Sequence, residues 1–330
     1  MTASSHFLTE LFDSIANELT QLDHLIEQRL RSDVVLINQV AEYITRSRGK
    51  RLRPALLFLV AAALGGPAEP TDLRRTELAA VIELIHTATL LHDDVVDESD
   101  LRRGKKTVNA FFGNAASVLT GDFLYSRAFQ MMSDMGQLHI MRILSDATNV
   151  IAEGEVLQLL NMHNAHVGEA GYMQVVYRKT AKLFEAAAQL GAVLAKANAD
   201  TEKAAAEFGR HIGVAFQIMD DWLDYAGDAQ LTGKPTGCDL REGKPTLPLI
   251  YLLTEGTPRQ CALAQHAIEQ GGGPFNATLE ALKASGALDR TLKRAKEASL
   301  AAASVLHAFP ESIYKKRLLE LCAYSTERFC

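Results

Sequence analysis

Cysteine is scarce in this chain. The four present, Cys238, Cys261, Cys322 and Cys330, form no C-x-x-C pair and have no metal-ligand spacing. They suggest neither a disulfide framework nor a cysteine metal site, and favour a reduced, cytoplasmic setting. Cys330 is the last residue, outside any prenylation box. Positive charge is not in excess: 34 Lys+Arg against 40 Asp+Glu leave a formal net charge of −6. That argues against a nucleic-acid surface, because general nucleic-acid binders are usually basic. Long apolar runs are missing too. The longest uncharged one, from Pro54 to Leu64, falls well short of the roughly 20 residues a membrane span needs. The start, Met1-Thr2-Ala3-Ser4-Ser5-His6, lacks the basic and apolar regions of a signal peptide. A soluble, cytoplasmic protein is expected. Finally, no Ser-His-Asp constellation, nucleophile–base pair or suggestively placed thiol is visible, so any catalysis must rest on other groups.

What is present is apolar residue at three- and four-residue spacing. Hydrophobic residues make up 48% of the chain and aromatics only 7%. Ala and Leu are abundant while β-branched runs are few, which favours helices. The periodicity predicts helices over 5–29, 33–46, 53–64, 71–97, 115–134, 137–162, 170–196 and 201–226. Weaker patterns follow over 247–254, 258–269, 276–284, 287–308 and 312–328. Gly65-Gly66-Pro67, Gly233-Lys234-Pro235, Gly243-Lys244-Pro245 and Gly271-Gly272-Gly273-Pro274 punctuate them. No strand-like alternation, short repeat or linker appears, so one all-α domain is expected over 1–330.

Two copies of an acidic pattern stand at the ends of helical runs: Asp93-Asp94-Val95-Val96-Asp97 and Asp220-Asp221-Trp222-Leu223-Asp224, 127 positions apart. Residues four apart share a helix face, so Asp93 pairs with Asp97 and Asp220 with Asp224. Stacked carboxylates on an apolar face repel, and a cation between them removes the cost. Hard oxygen ligands suit Mg²⁺, which binds through one or two carboxylates plus substrate phosphates. A single such pattern reads equally well as a solvated helix end. Two copies, each beside basic residues, do not.

The basic residues answer the acids. Gly49-Lys50-Arg51-Leu52-Arg53-Pro54 opens a helix, where free N–H groups and cations favour phosphate. His86 lies two turns before Asp93; a lone histidine in an apolar helix is more often a satisfied core residue, but its alignment favours a phosphate donor. Arg102-Arg103-Gly104-Lys105-Lys106 follows the first acidic ledge, an arrangement that is otherwise a solubilising charge run. Lys179-Thr180 sits on an apolar helix, and Lys234 and Lys244 stand in Gly-Pro loops.

These segments resemble the trans-isoprenyl diphosphate synthase family. Leu90 to Ser99 with Arg102-Arg103-Gly104 is similar to its first aspartate motif, and Gly213 to Asp221 to its second. Gly49 to Pro54 and Gly243-Lys244-Pro245-Thr246-Leu247-Pro248 resemble its upstream basic and trailing lysine motifs. Asn149 to Gln158 narrows the likeness to bacterial long-chain enzymes that make a quinone side chain. Lys106 departs from the pattern, where Pro or Ala is common, without touching an expected contact.

The resemblance implies an all-α single-domain bundle around a central cavity, of the isoprenoid synthase type, as a homodimer. It implies catalysis by Asp93, Asp94, Asp97, Lys179, Thr180, Gln217, Asp220, Asp221 and Asp224, with Asp93, Asp97 and Asp220 as the direct Mg²⁺ ligands and three ions per site. Lys50, Arg53, His86 and Arg103 would hold isopentenyl diphosphate. Arg102, Lys179, Thr180, Gln217, Lys234 and Lys244 would hold the allylic (farnesyl) diphosphate. A product of eight or nine units would grow beneath the first ledge past Ala88 and Thr89 towards Phe129, Met131 and Met132, and contact a membrane surface on release. Those three residues read equally well as ordinary core. Rival readings stay open: a shorter-chain synthase, a non-catalytic subunit of a heteromeric synthase, and a terpene cyclase. Cyclases usually carry Asn/Asp-x-x-Ser/Thr-x-x-x-Glu where this chain has Asp220 to Asp224, and regulatory subunits usually lose one aspartate motif.

Overall fold

The Leu52–Ala63 helix shows how this chain builds its core. Its sequence is apolar all round after the first turn, and Leu56, Leu57, Phe58, Leu59 and Val60 are each at most 2% exposed. A helix with no polar face is stable only when surrounded. Burying each large apolar side chain stabilises the fold by about 1.5–3 kcal/mol. A close neighbour is admitted at Gly191, where a Cβ would meet Leu57 O at 2.8 Å and Val60 Cβ at 2.8 Å.

The computed structural model describes residues 9–46, 49–65, 74–102, 104–227 and 236–327. The chain groups into two compact units. The first comprises Met1–Thr148, Leu183–Ala206 and Leu306–Glu320; the second comprises Asn149–Lys182, Glu207–Val305 and Leu321–Cys330.

In the first unit the helices Ala16–Arg29, Val35–Arg46, Leu52–Ala63, Arg74–Val96 and Asn114–Asp134 follow in order. Arg74–Val96 is buried without a break from Leu78 to Ile85. The Asn114–Asp134 helix packs against it, and Gly121 leaves room for the His92 ring: a Cβ there would lie 2.3 Å from His92 Nε2. The His92 ring also stacks on Tyr125 with centroids 5.9 Å apart.

In the second unit one apolar cluster unites Tyr172, Val176, Ile218, Tyr225, Leu249 and Ile268, among others. The helices Leu247–Glu255, Pro258–Gln270, Phe275–Ser285 and Ala287–Val305 contribute most of it. The Pro258–Gln270 helix begins with a reciprocal cap between Thr257 and Gln260 and has Pro258 in its first turn. Gly271, at φ 62, ends it.

Among the described residues the predicted helices are there, with corrections; residues 5–8, 71–73 and 328 of the predicted helices lie outside them. The run expected over 170–196 is interrupted: Glu169–Val175 is α-helical, Val176–Ala181 is a π turn, and Lys182–Leu194 resumes the α-helix. The stretch expected over 5–29 has a turn at 14–15 before the Ala16–Arg29 helix. Two residues at a time are extended after the first ledge, where Leu101–Arg102 pairs antiparallel with Lys105–Lys106 and Gly104 takes φ 72. That hairpin is too short for alternation to show. The short helices Val108–Phe112 and Cys238–Arg241 were likewise not foreseen.

Candidate active site

The first aspartate ledge forms the last turn of the Arg74–Val96 helix. Asp97 N–H donates to Asp93 O at 2.8 Å, which carries the helical register one residue further, and Glu98 at φ 48 ends it. Asp93 and Asp97 are half-buried and Asp94 is 4% exposed. The buried carboxylate has an internal partner. Arg102 donates to Asp94 Oδ1 from Nε at 2.9 Å and from Nη2 at 2.7 Å. Asn109 Nδ2 and Ser99 N–H donate to Asp94 O, and Thr107 Oγ1 to Ser99 O. The hairpin is thereby tied to the ledge, and Arg102 with it. Arg103 lies outside the described residues.

The basic motif divides by partner. Arg51, at φ 50 before the Leu52–Ala63 helix, reaches Glu83 Oε1 at 2.5 Å and Asp23 Oδ1 at 3.3 Å. It holds helices together. Arg53 instead meets His86, Nη1 to Nε2 at 3.0 Å, with its guanidinium 4.4 Å from the Phe184 ring centroid. A guanidinium only donates, so His86 accepts at Nε2. Lys50 is exposed at the same helix start. A cavity of about 100 Å³ opens beside them, with Gly49, Arg51, His86, Asp94 and Arg102 in its lining. Two expected isopentenyl-site residues, Arg53 and His86, are therefore brought together by the fold.

The second ledge lies within the Ala199–Ala226 helix. Asp220 is exposed, while Asp221 is 5% exposed. Tyr172 Oη donates to Asp221 Oδ2 at 2.6 Å and Gln217 Nε2 to Asp221 Oδ1 at 2.7 Å. Gln217 Oε1 in turn accepts from Thr180 Oγ1 at 2.7 Å. Asp224 accepts the backbone N–H groups of Cys238 and Asp239, each at 3.0 Å, so it caps the Cys238–Arg241 helix. Burial pushes the Asp221 carboxyl up to about 7, with Asp220 and Asp224 adding to the shift and the two hydrogen bonds opposing it. Burial likewise raises Asp224 against its two N–H bonds, and raises Asp239 beside Asp224 and Asp221. Tyr172 is raised well above the tyrosine range by burial and by Asp221. Desolvated carboxylates facing one another fit a divalent cation, which removes their repulsion. Among the described residues no three His, Cys, Asp or Glu side chains form a metal cluster by themselves. A site built on this donor set would be completed by substrate phosphate oxygens.

Lys179 and Thr180 ride on the π turn, with Lys179 Nζ 2.5 Å from Glu155 Oε2 and Arg178 Nη1 2.5 Å from Glu153 Oε2. Lys244 follows Gly243, at φ 65, and forms an ion pair with Glu242. His163 N–H donates to Gly243 O at 2.9 Å, and its ring fills the space a Cβ on Gly243 would need. Lys234 lies outside the described residues. Of the chain-length candidates, Ala88 and Met132 are fully buried, and Thr89 is half-buried with its hydroxyl donating to His86 O at 2.7 Å. Met131 is also buried, and Phe129 keeps 37% of its surface exposed.

Tyr172, Glu155, His163 and Asp239 were missed from the sequence. Tyr172 stands two helical turns before Thr180, a spacing that puts both on one face. Glu155 sits inside the already notable Glu153-Gly154-Glu155 stretch.

The Polyprenyl synthetase family matches residues 34–283, which include both ledges and the basic motif. The chain belongs to that family. Octaprenyl diphosphate synthase of Escherichia coli is 48% identical over 325 residues, 97% of this chain and 99% of that one. Octaprenyl diphosphate synthase of Haemophilus influenzae is 46% identical over 313 residues, covering 94% of each. A polyprenyl synthase from Caulobacter crescentus, solved with calcium and isoprenyl diphosphate, superposes with a TM-score of 0.92 at 39% identity over 98% of each chain. The chain is a trans-prenyltransferase that elongates polyprenyl diphosphates, with the all-α isoprenoid synthase fold. Among the described residues no helix is long and apolar enough to cross a membrane.

Proposed function

We propose that this enzyme is a long-chain trans-polyprenyl diphosphate synthase making the eight-unit product, with isopentenyl diphosphate as extender and farnesyl diphosphate as primer. The single observation that carries the site assignment is the division within each ledge. Asp94 and Asp221 are buried against Arg102, Tyr172 and Gln217, and Asp224 is engaged by backbone N–H groups. Asp93, Asp97 and Asp220 are more open to solvent and serve as Mg²⁺ ligands, three ions per site. When bound, Mg²⁺ supplies positive charge to the departing diphosphate. Arg102, Lys179, Lys234 and Lys244 donate to the allylic diphosphate as its C1–O bond breaks. Lys50, Arg53, His86 and Arg103 hold isopentenyl diphosphate so that its double bond reaches the allylic cation. Thr180 and Gln217 present oriented dipoles to that cation. The proton lost on elimination goes to the released diphosphate, since no side chain is an evident base. Apolar walls keep water from the cation.

The growing chain passes Ala88 and Thr89 towards Phe129, Met131 and Met132. An extended eight-unit chain is roughly 35–40 Å long, the length of a helix of about 25 residues. The two units act as one domain, supported by a family match that spans segments of both. The enzyme works as a cytoplasmic homodimer, supported by apolar surface such as Leu119 and Leu138, which are 67% and 66% exposed. Product is released at a membrane surface to supply a quinone side chain.

Mass analysis of products from the two substrates with Mg²⁺, and with EDTA, tests this reading. The eight-unit diphosphate is expected with Mg²⁺ and no product with EDTA. Ala88→Phe is expected to shorten products to about four units while the protein stays folded. Metal-independent turnover, or unchanged length from folded Ala88→Phe, would overturn the corresponding assignment.

A further inference from the structure

The π turn at Val176–Ala181 interrupts an otherwise regular helix at Lys179 and Thr180, two of the residues proposed for the allylic substrate. Such turns break the regular hydrogen-bond ladder and recur at functional sites. The turn faces residues 153–155 of the Leu138–Asn161 helix. A Cβ on Gly154 would lie 2.7 Å from Lys179 N, 2.7 Å from Arg178 Cβ and 2.9 Å from Arg178 C. Two of those atoms are backbone, so no rotamer change relieves the clash. Gly154 is what allows this approach.

On either side of Gly154 a glutamate grips the turn. Glu153 Oε2 stands 2.5 Å from Arg178 Nη1 and Glu155 Oε2 stands 2.5 Å from Lys179 Nζ. The two pairs differ in exposure. Arg178 and Glu153 are 36% and 54% exposed, whereas Lys179 and Glu155 are 19% and 29%. The outer pair is an ordinary surface contact. The inner pair is screened less and fixes a side chain that otherwise has four rotatable carbons of freedom.

We propose that Glu155, set against the π turn by Gly154, is a positioning residue for the prenyl-transfer reaction. Its carboxylate holds the Lys179 ammonium in the direction from which it meets the allylic diphosphate. It also balances the lysine's charge before substrate arrives. This rests on the reading that Lys179 binds that diphosphate.

The test is a double-mutant cycle on the full chain, Glu155→Gln, Lys179→Met and both together, with circular dichroism to confirm folding. Initial rates of the first condensation are measured while each substrate is varied in turn. Glu155→Gln is expected to lower kcat/KM for the allylic diphosphate about ten-fold and to leave the KM for isopentenyl diphosphate within about two-fold. In the Lys179→Met background the same change should cost less than about two-fold. Gly154→Ala, which displaces the turn, should reproduce the substrate-selective loss. Equal costs of Glu155→Gln in both backgrounds, or equal losses for both substrates, would overturn the proposal while leaving the assignment of Lys179 intact. Unchanged allylic kinetics in Lys179→Met would overturn that assignment itself, and the proposal with it.

Discussion

On the proposed reading, residues one helical turn apart in the second aspartate motif have opposite jobs, and alanine at each should separate them. Asp224 accepts two backbone N–H bonds at 3.0 Å and caps the Cys238–Arg241 helix. Loss of a capping side chain costs about 0.5–2 kcal/mol. Two bonds to one charged group place Asp224→Ala towards the upper end, about 1–2 kcal/mol, after part of the gain is offset by burial of the charge. A chain of this length has an unfolding entropy of about 0.7 kcal/mol/K, from roughly 2 cal/mol/K per residue. The expected fall in Tm is therefore about 1.5–3 °C. Asp220 is exposed, and Asp220→Ala should change stability by no more than about 0.5 kcal/mol. Activity should follow the reverse order. Asp220→Ala removes a proposed metal ligand and should lower turnover by orders of magnitude, whereas Asp224→Ala should keep substantial turnover. Asp224→Asn should recover part of the lost stability, because its amide oxygen still accepts an N–H bond. Scanning fluorimetry without Mg²⁺ and steady-state rates with it provide the two readouts. An Asp224→Ala protein with unchanged Tm and turnover as low as that of Asp220→Ala would refute the division and make Asp224 a ligand.

Arg53→Lys should raise the KM for isopentenyl diphosphate about ten-fold and leave that for the allylic substrate nearly unchanged, since lysine loses both the fork that meets His86 and the stacking on Phe184; equal effects on the two substrates would show that Arg53 is not specific to one. Asp221 has its carboxyl raised to about 7 in the folded protein, so the native state holds its proton more tightly than the unfolded chain does. Its contribution is then fully present below about pH 4 and is lost as pH rises towards about 7. In EDTA the Tm of the wild type minus that of Asp221→Asn should shrink across that window, and a pH-independent difference would refute the assignment.

Much of the fold was legible because helix periodicity is a local property. The helix predicted over 247–254 is Leu247–Glu255, and that over 115–134 is Asn114–Asp134. The ledges were legible for the same reason: four-residue spacing fixes a shared face whatever surrounds it. What was not legible depends on other elements. Nothing local distinguishes Asp93 from Asp94, yet Arg102 claims the second and leaves the first more open. Nothing local marks Tyr172 as the donor to Asp221, 49 residues on. The π turn, too, faces Gly154, a residue of a different helix. Arg51 and Arg53 look alike in the basic motif. The fold spends Arg51 on Glu83 and Asp23, and sets Arg53 beside His86.

The two aspartate motifs share one pattern but not one electrostatic solution. In the first, the buried carboxylate of Asp94 meets a permanent cation, Arg102, through two of its nitrogens. Charge is balanced there by the protein itself. In the second, the hydrogen bonds to the buried carboxylate of Asp221 come, among the described residues, from the neutral donors Tyr172 and Gln217, while Asp224 and Asp239 add negative charge that Arg241 and Lys244 offset in part. Hydrogen bonds from neutral groups orient a carboxylate but cannot cancel its charge, which is why burial dominates its proton affinity. A bound cation would therefore change the charge state of the second motif more than that of the first. On the proposed reading, a metal at the second ledge would do two things that the sequence pattern does not distinguish from the first: provide charge for the leaving diphosphate, and relieve a cost already built into the folded chain.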